Sequence, residues 1–272
     1  LYGESGGGKT FSALLLARGF AGPDGKIAMI ETEGGRGEIY VGQPPIGDYL
    51  VCPLGEPFSP ANYGAAISVC EKANVDALII DSASHEWEAI GGVLDMASEN
   101  EAKGWKGQIV WTKPKLEHSR HFVLRFAQSS IPLVVLCLRS KYPLEEYIDE
   151  KGKKNMRRVS VPVPIQADTF ISEMLIHGWI DRAHKLNVTK YPDAVKELRG
   201  VVVNNEPITI ETGQRLAAWA KGSAPQSGDG VGTAPRSDPP ADAGLITVDQ
   251  AVALEDALRE NGITELDEFD QF

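Results

Sequence analysis

The stretch that most constrains this chain is its beginning, Gly3-Glu4-Ser5-Gly6-Gly7-Gly8-Lys9-Thr10, followed at once by the apolar run Phe11-Ser12-Ala13-Leu14-Leu15-Leu16-Ala17. It fits the pattern G-x-x-x-x-G-K-[ST], in which every fixed residue type has a physical reason. Glycines take φ > 0 and carry no side chain, so successive backbone N–H groups can turn inward as a nest for phosphate oxygens. A helix opening near Lys9 aims its N-terminus at the same anion. Lys9 can neutralise β/γ-phosphate charge, and the Thr10 hydroxyl is placed to join the shell of a Mg²⁺ ion. The expected nucleotide-binding set is therefore Gly3, Glu4, Ser5, Gly6, Gly7, Gly8, Lys9 and Thr10.

Such a loop belongs between a strand and a helix, and the rest of the chain suits an α/β sheet. Lys26–Ile30 reads as a buried strand running into Glu31-Thr32-Glu33, two carboxylates expected on one side of an extended strand end. Glu33 is placed to orient or deprotonate water, or else belongs to a solvated acidic loop. Asp76–Ser82 is an apolar run ending in a carboxylate, as expected of a central parallel strand whose Asp81 joins the Mg²⁺ shell. Tyr49–Cys52 and Ile131–Leu138 are further strands, Ala61–Ala73 and Lys113–Gln128 helices. Glu86 and Glu88, just past the Asp81 strand, are rivals to Glu33 or merely an acidic helix start. Arg139, at the end of Ile131–Leu138, either senses the γ-phosphate or pairs with nearby carboxylates. His118 and His121 share a helical face, but no third ligand accompanies them, so no zinc site is expected.

Tyr147–Val161 reads as a β-hairpin with a basic tip. Its cations Lys151, Lys153, Lys154, Arg157 and Arg158 would suit a phosphodiester backbone, or simply dress a solvated turn. His184–Lys190 alternates like an edge strand, Val201–Val203 is a short strand, and Glu211–Lys221 is a last helix. The globular part is thus expected over residues 1–221, with its first strand truncated, because Leu1-Tyr2 leaves almost no strand ahead of the loop.

Residues 222–246 are rich in Gly, Pro and Ser, bury too little to fold, and are expected to be a flexible linker. Residues 247–272 begin with the capping box Thr247–Gln250 and are expected to form a short acidic helix and tail. Charge divides the same way. Of the net −11, the eleven acidic and two basic residues from Gly222 onward carry −9, which leaves −2 on residues 1–221. An acidic pI therefore does not exclude a basic, DNA-facing surface on the core. The tail would dock on a basic groove of a partner, compete with DNA for the core, or only solubilise. Cys52, Cys70 and Cys137 have no metal or redox spacing and are expected to be core residues of a reducing compartment, which fits the cytoplasm. No signal peptide is visible and no apolar stretch approaches membrane-spanning length.

The loop Gly3–Thr10, the pair in Ile30-Glu31-Thr32-Glu33 and the run Leu78-Ile79-Ile80-Asp81-Ser82 together resemble the RecA/RadA-like ATPases. Residues 1–221 are most similar to the short RecA-like nucleotide-binding proteins of bacteriophages. The resemblance implies ATP with Mg²⁺, Lys9 and Thr10 on phosphates and metal, Glu33 as the water-activating residue ahead of Glu86 and Glu88, and Asp81 as the metal-strand carboxylate. It implies a homo-oligomeric ring or filament acting on single-stranded DNA in recombination, annealing or replication, with Lys190 a counterpart of the cation one subunit lends to the next. The family's strand commonly ends in an Asn-Gln pair where Leu138-Arg139 stands here. Two other classes remain open. One is a nucleotide-gated adaptor with little turnover, whose tail recruits a replication protein. The other is a small-molecule kinase, which the absence of an Arg-rich lid disfavours.

Overall fold

A computed structural model describes residues 1–150 and 152–222; Lys151, nearly all of the expected linker and the acidic tail lie outside the described residues. The chain divides into two units, Leu1–Ser227 and Gly228–Phe272, and the described residues all belong to the first. In chain order the strands of that unit are β1 (Tyr2–Gly3), β2 (Ile27–Glu31), β3 (Leu50–Pro53), β4 (Ala77–Asp81), β5 (Leu133–Lys141), β6 (Leu144–Ile148), β7 (Lys154–Arg158), β8 (Val163–Pro164), β9 (His177–Ile180), β10 (Lys185–Lys190) and β11 (Glu206–Pro207). The helices are α1 (Lys9–Ala21), α2 (Pro60–Lys72), α3 (His85–Glu88), α4 (Val93–Ala102), α5 (Ile109–Glu117), α6 (Leu124–Ala127), α7 (Leu198–Val201) and α8 (Ile210–Ala220).

One sheet runs β11-β10-β9-β1-β5-β4-β2-β3, parallel from β9 to β3, with β10 and β11 added by antiparallel pairing at one edge and a short β8 antiparallel to the C-terminal end of the central β5. The protein is therefore α/β, with a mostly parallel central sheet flanked by helices. All five residues of β2 and all five of β4 are buried, because a parallel strand in such a sheet has helices over both faces. Alternation sorts their side chains: Ile27, Met29, Ala77, Ile79, Val135 and Cys137 face the core under α1 and α8. Ala28, Ile30, Leu78, Ile80, Leu136 and Leu138 face the core under α2 and the helices before β5. Each fully buried Ile, Leu or Phe stabilises by roughly 1.5–3 kcal/mol, so this doubled core dominates the stability of the unit.

α1 and α8 approach closely because glycine meets glycine. A Cβ on Gly19 would lie 2.0 Å from the Ile210 carbonyl oxygen, and one on Gly213 would lie 2.2 Å from that of Leu16. α8 itself starts at a capping box formed by Thr209 and Thr212.

Three expectations need correction. The helix expected at Lys113–Gln128 begins at Ile109 and passes through a π-helical turn over His118–Val123 before α6. The wider turn brings His118, Phe122 and Phe126 inward together, where Phe122 stacks on Phe170 at 5.7 Å. Val201–Val203 is no strand: Val201 closes α7, and Val201 and Val202 are buried against Leu198 rather than laid beside a partner strand. Of the described hairpin cations, only Lys153 and Lys154 lie at or beside the tip, and Arg157 and Arg158 stand at the far end of β7. β6 pairs with β7, and Lys154, Arg157 and Arg158 lie along β7, leaving Lys153 in the turn.

Candidate functional site

β1 ends at Gly3, and the chain then winds through Gly6 (φ 79°) and Gly8 (φ 90°) into α1. Both are left-handed conformations that suit glycine, and a Cβ on Gly8 would also lie 2.8 Å from His184 Nδ1. Gly7 N–H donates to the Glu4 carbonyl at 3.1 Å, which closes the loop. The Lys9 ammonium folds back over it, donating to the carbonyls of Gly3 at 3.1 Å and Glu4 at 2.9 Å. Thr10 Oγ1 donates to Asp81 Oδ2 at 2.5 Å, across 71 positions of sequence. The loop, the start of α1 and the C-terminal end of β4 are thereby one constellation, in the crevice beyond the carboxyl ends of the parallel strands.

That crevice is a cleft of about 840 Å³ lined by Gly3, Ser5, Gly6, Gly8, Lys9, Thr10, Glu31, Glu33, Asp81, Glu88 and Arg139 among others. Asp81 is buried, and burial raises its pKa above the usual carboxylate value; the hydrogen bond from Thr10 and the charge of Lys9 oppose that rise, and Glu33 adds to it. Hydroxyl and carboxylate oxygens are hard donors suited to Mg²⁺, which takes one or two protein oxygens and completes its shell with water and phosphate. Among the described residues no three His, Cys, Asp or Glu side chains converge on a metal position.

The two carboxylates at the end of β2 and just past it do not act alike. Glu31 is buried, its Oε1 accepting from Glu33 N–H at 2.9 Å and its Oε2 from Gly35 N–H at 2.8 Å, so it shapes the turn from within. Glu33 faces the cleft. Its Oε1 accepts from Arg139 Nε at 3.1 Å and its Oε2 from Arg36 Nη1 at 3.1 Å. Arg139 Nη1 also stands 3.7 Å from Glu88 Oε1. Of the two readings open for Arg139, pairing is what this geometry displays, within β5 rather than beyond its end. Glu86 is withdrawn altogether: fully buried, it takes His118 Nδ1 at 2.9 and 3.1 Å and Gln166 Nε2 at 3.2 Å. His121 stands apart from His118 and pairs with Glu117 at 3.6 Å.

Lys190 does not line the cleft; its Nζ donates to the Ser172 carbonyl at 2.7 Å. The hairpin cations are elsewhere too. Lys154 pairs with Glu146 at 2.8 Å, and Arg157 pairs with Glu145 and lies 5.4 Å over the Tyr147 ring.

Several residues of the site have no signature in the sequence. Arg182 Nε donates to Glu4 Oε2 at 2.9 Å and His184 Nδ1 meets the Gly7 carbonyl oxygen at 3.1 Å, so the β9–β10 turn braces the glycine loop from 178 and 177 positions away. Glu4 is thus spent on the brace. Phe11 and Tyr40, ring centroids 5.5 Å apart, form an aromatic wall of the cleft. His85, at the start of α3, shares a 2.8 Å hydrogen bond with Thr32 Oγ1, and burial followed by the Arg139 charge lowers its pKa. Among the described residues no helix is long and apolar enough to cross a membrane.

The fold and this cleft define an α/β protein with a polar pocket at the ends of its parallel strands. No family model, curated protein or solved structure matches the chain.

Proposed function

We propose that this chain is a RecA-like P-loop ATPase, which binds ATP with Mg²⁺ in the cleft, hydrolyses it, and acts on single-stranded DNA. The observation that carries the reading is the Thr10–Asp81 hydrogen bond beside Lys9. It joins the two motifs that a P-loop enzyme needs together, the loop with its hydroxyl and the carboxylate of the metal strand. The strand order supports it: β5 stands between β1 and β4, so the glycine loop and Asp81 are separated by one strand whose Arg139 also enters the cleft. Recombination, annealing or replication as the setting, assembly with copies of itself, a partner for the acidic tail and a cytoplasmic location rest on the resemblance and the composition.

In this reading the loop amides and the N-terminus of α1 take the phosphates. Lys9 exchanges its two carbonyl acceptors for β/γ-phosphate oxygens. Thr10 and Asp81 hold Mg²⁺, whose charge offsets that of the phosphates. Phe11 and Tyr40 give the base an apolar face. Glu33 positions the attacking water and accepts its proton as the water oxygen bonds to the γ-phosphorus and the bond to the ADP oxygen breaks. For that it must leave Arg139, and the γ-phosphate offers the guanidinium a stronger anion than a shared carboxylate.

The test is ATP hydrolysis by the purified chain with and without single-stranded DNA, beside Lys9→Ala and Glu33→Gln. Removing Lys9 should cost on the order of 10²–10³ in turnover, the usual loss for one preorganised charge-stabilising donor. Glu33→Gln should still bind ATP but not turn it over. A second reading, the nucleotide-gated adaptor, is favoured by the double hold of Arg36 and Arg139 on Glu33. ATP binding without DNA-responsive turnover would establish the adaptor and overturn the ATPase.

A further inference from the structure

Three elements that wall the nucleotide cleft also wall a second concavity. α3 gives Glu88 to the cleft and Trp87 to a separate groove of about 530 Å³; β5 gives Arg139 to the first and Lys141 to the second; the segment after β8 gives Ile165 to the first and Gln166 to the second. The groove is completed from α5 by Gln108, just before the helix, and by Trp111 and Lys115, which share a face at i, i+4.

Its floor is anchored. The Trp87 indole stands edge-on to His118 at 5.5 Å, and His118 is fixed by the fully buried Glu86 carboxylate, which Gln166 also holds. Both indoles are half-buried, whereas Lys115 and Lys141 are exposed and neither forms an ion pair among the described residues. Asp168 is the one carboxylate of the lining. Two indoles and two unpaired cations lining one groove match a chain of flat rings joined by phosphates: rings stack on indoles, and phosphates displace counterions from lysines. An acidic peptide would use the cations and waste the indoles. On the hairpin, by contrast, two of the cations, Lys154 and Arg157, are already neutralised by Glu146 and Glu145.

We propose that this groove binds single-stranded nucleic acid, stacking bases on Trp87 and Trp111 and seating phosphates on Lys115 and Lys141. The inference rests on the proposed function, for which it supplies the nucleic-acid site. It also gives the strand and the nucleotide a common set of walls, so each bears on α3 and on the end of β5.

The experiment measures the anisotropy of a labelled oligothymidylate of about twenty nucleotides, longer than one site of this kind, against the full chain, with binding of a fluorescent ATP analogue measured in parallel on every variant. Trp111→Ala should weaken the oligonucleotide about tenfold or more, the loss of one stacked base, and Trp111→Tyr should recover most of it. Replacing Lys115 and Lys141 together by Ala should flatten the slope of log K against log salt by about 1.4, since each single-strand phosphate contact contributes ~0.7. A merely structural role for these lysines would leave that slope alone. The groove is overturned if the oligonucleotide does not bind a chain that binds the ATP analogue, or if binding survives these changes and is lost instead on replacing Lys153 and Arg158 of the hairpin. A chain that takes the oligonucleotide through the groove but no ATP analogue would overturn the proposed function and leave the groove standing.

Discussion

The cleft at the ends of the parallel strands and the β6–β7 hairpin are both built from Lys, Arg and Glu, and they use them in opposite ways. In the cleft two of the carboxylates are held by groups far away in the chain: Glu33 by Arg139 across 106 positions, Asp81 by Thr10 across 71. In the hairpin the partners sit across one ladder, Glu145 opposite Arg157 and Glu146 meeting Lys154, with Arg157 and Lys154 at 64% and 72% side-chain exposure. Holding from distant parts of the fold fixes the geometry before any ligand arrives, whereas facing charges in water mostly satisfy one another. Position in the fold, not residue type, separates a site from a surface.

The comparison can be broken most forcefully at Glu31. Its carboxylate is 4% exposed and accepts two backbone N–H groups that shape the turn carrying Glu33. Glu31→Gln replaces one acceptor oxygen by a donor that faces a donor, so unfolding in urea should show a loss of about 1–3 kcal/mol, the cost of leaving a buried polar group unmade. Glu33→Gln, more open to solvent and acting on the ligand, should change stability by less than about 1 kcal/mol. Equal losses would mean that the two carboxylates are both structural.

A gentler separation comes from pH. The folded chain lowers the pKa of His85 from 6.5, by burial first and the Arg139 charge second. The unfolded chain therefore binds more protons in the window below 6.5, and stability must fall as pH falls through it. The contribution is complete above pH 6.5 and lost as the pH drops through the folded-state value. His177, lowered to about 4 chiefly by burial, acts with the same sign on the other flank of the sheet. Thermal midpoints followed downward from pH 7 should decline in the parent chain and decline less in His85→Gln. The hairpin residues 144–158 include no histidine, so its excision should leave that part of the slope unchanged.

Legibility in the sequence divides along the same line. The glycine loop could be read because φ > 0, close approach and a point charge each demand a residue type at a fixed place, and β2 and β4 because burial on both faces demands an unbroken apolar run. The difference between Glu31 and Glu33 could not, since both reach the cleft as spacing suggests, but the turn at Thr32–Gly35 turns its N–H groups onto Glu31 and leaves Glu33 to Arg36 and Arg139. Nor could the brace of Arg182 and His184, which lie in an ordinary polar turn and gain a role only when β9 pairs with β1. Val201–Val203 misled because a run of three β-branched residues is as apt to bury itself at the end of α7 as to join a strand. The basic hairpin misled differently: charge is visible in sequence, but the strand pairing that hands Lys154 and Arg157 a carboxylate each is not.

That pairing also sets the smallest effect expected. Lys154 and Glu146 are 72% and 52% exposed, so their attraction is screened by water and offset by the entropy of holding two long side chains. Lys154→Ala should shift unfolding by well under about 1 kcal/mol, and the shift should shrink further as salt is raised. ATP binding in the cleft should not respond at all. If instead Lys154→Ala weakened ATP binding as strongly as a change in the glycine loop, the hairpin would have to be part of the nucleotide site, folding onto it when the ligand arrives, and the division between a preorganised cleft and a self-satisfied surface would fail at its weakest point.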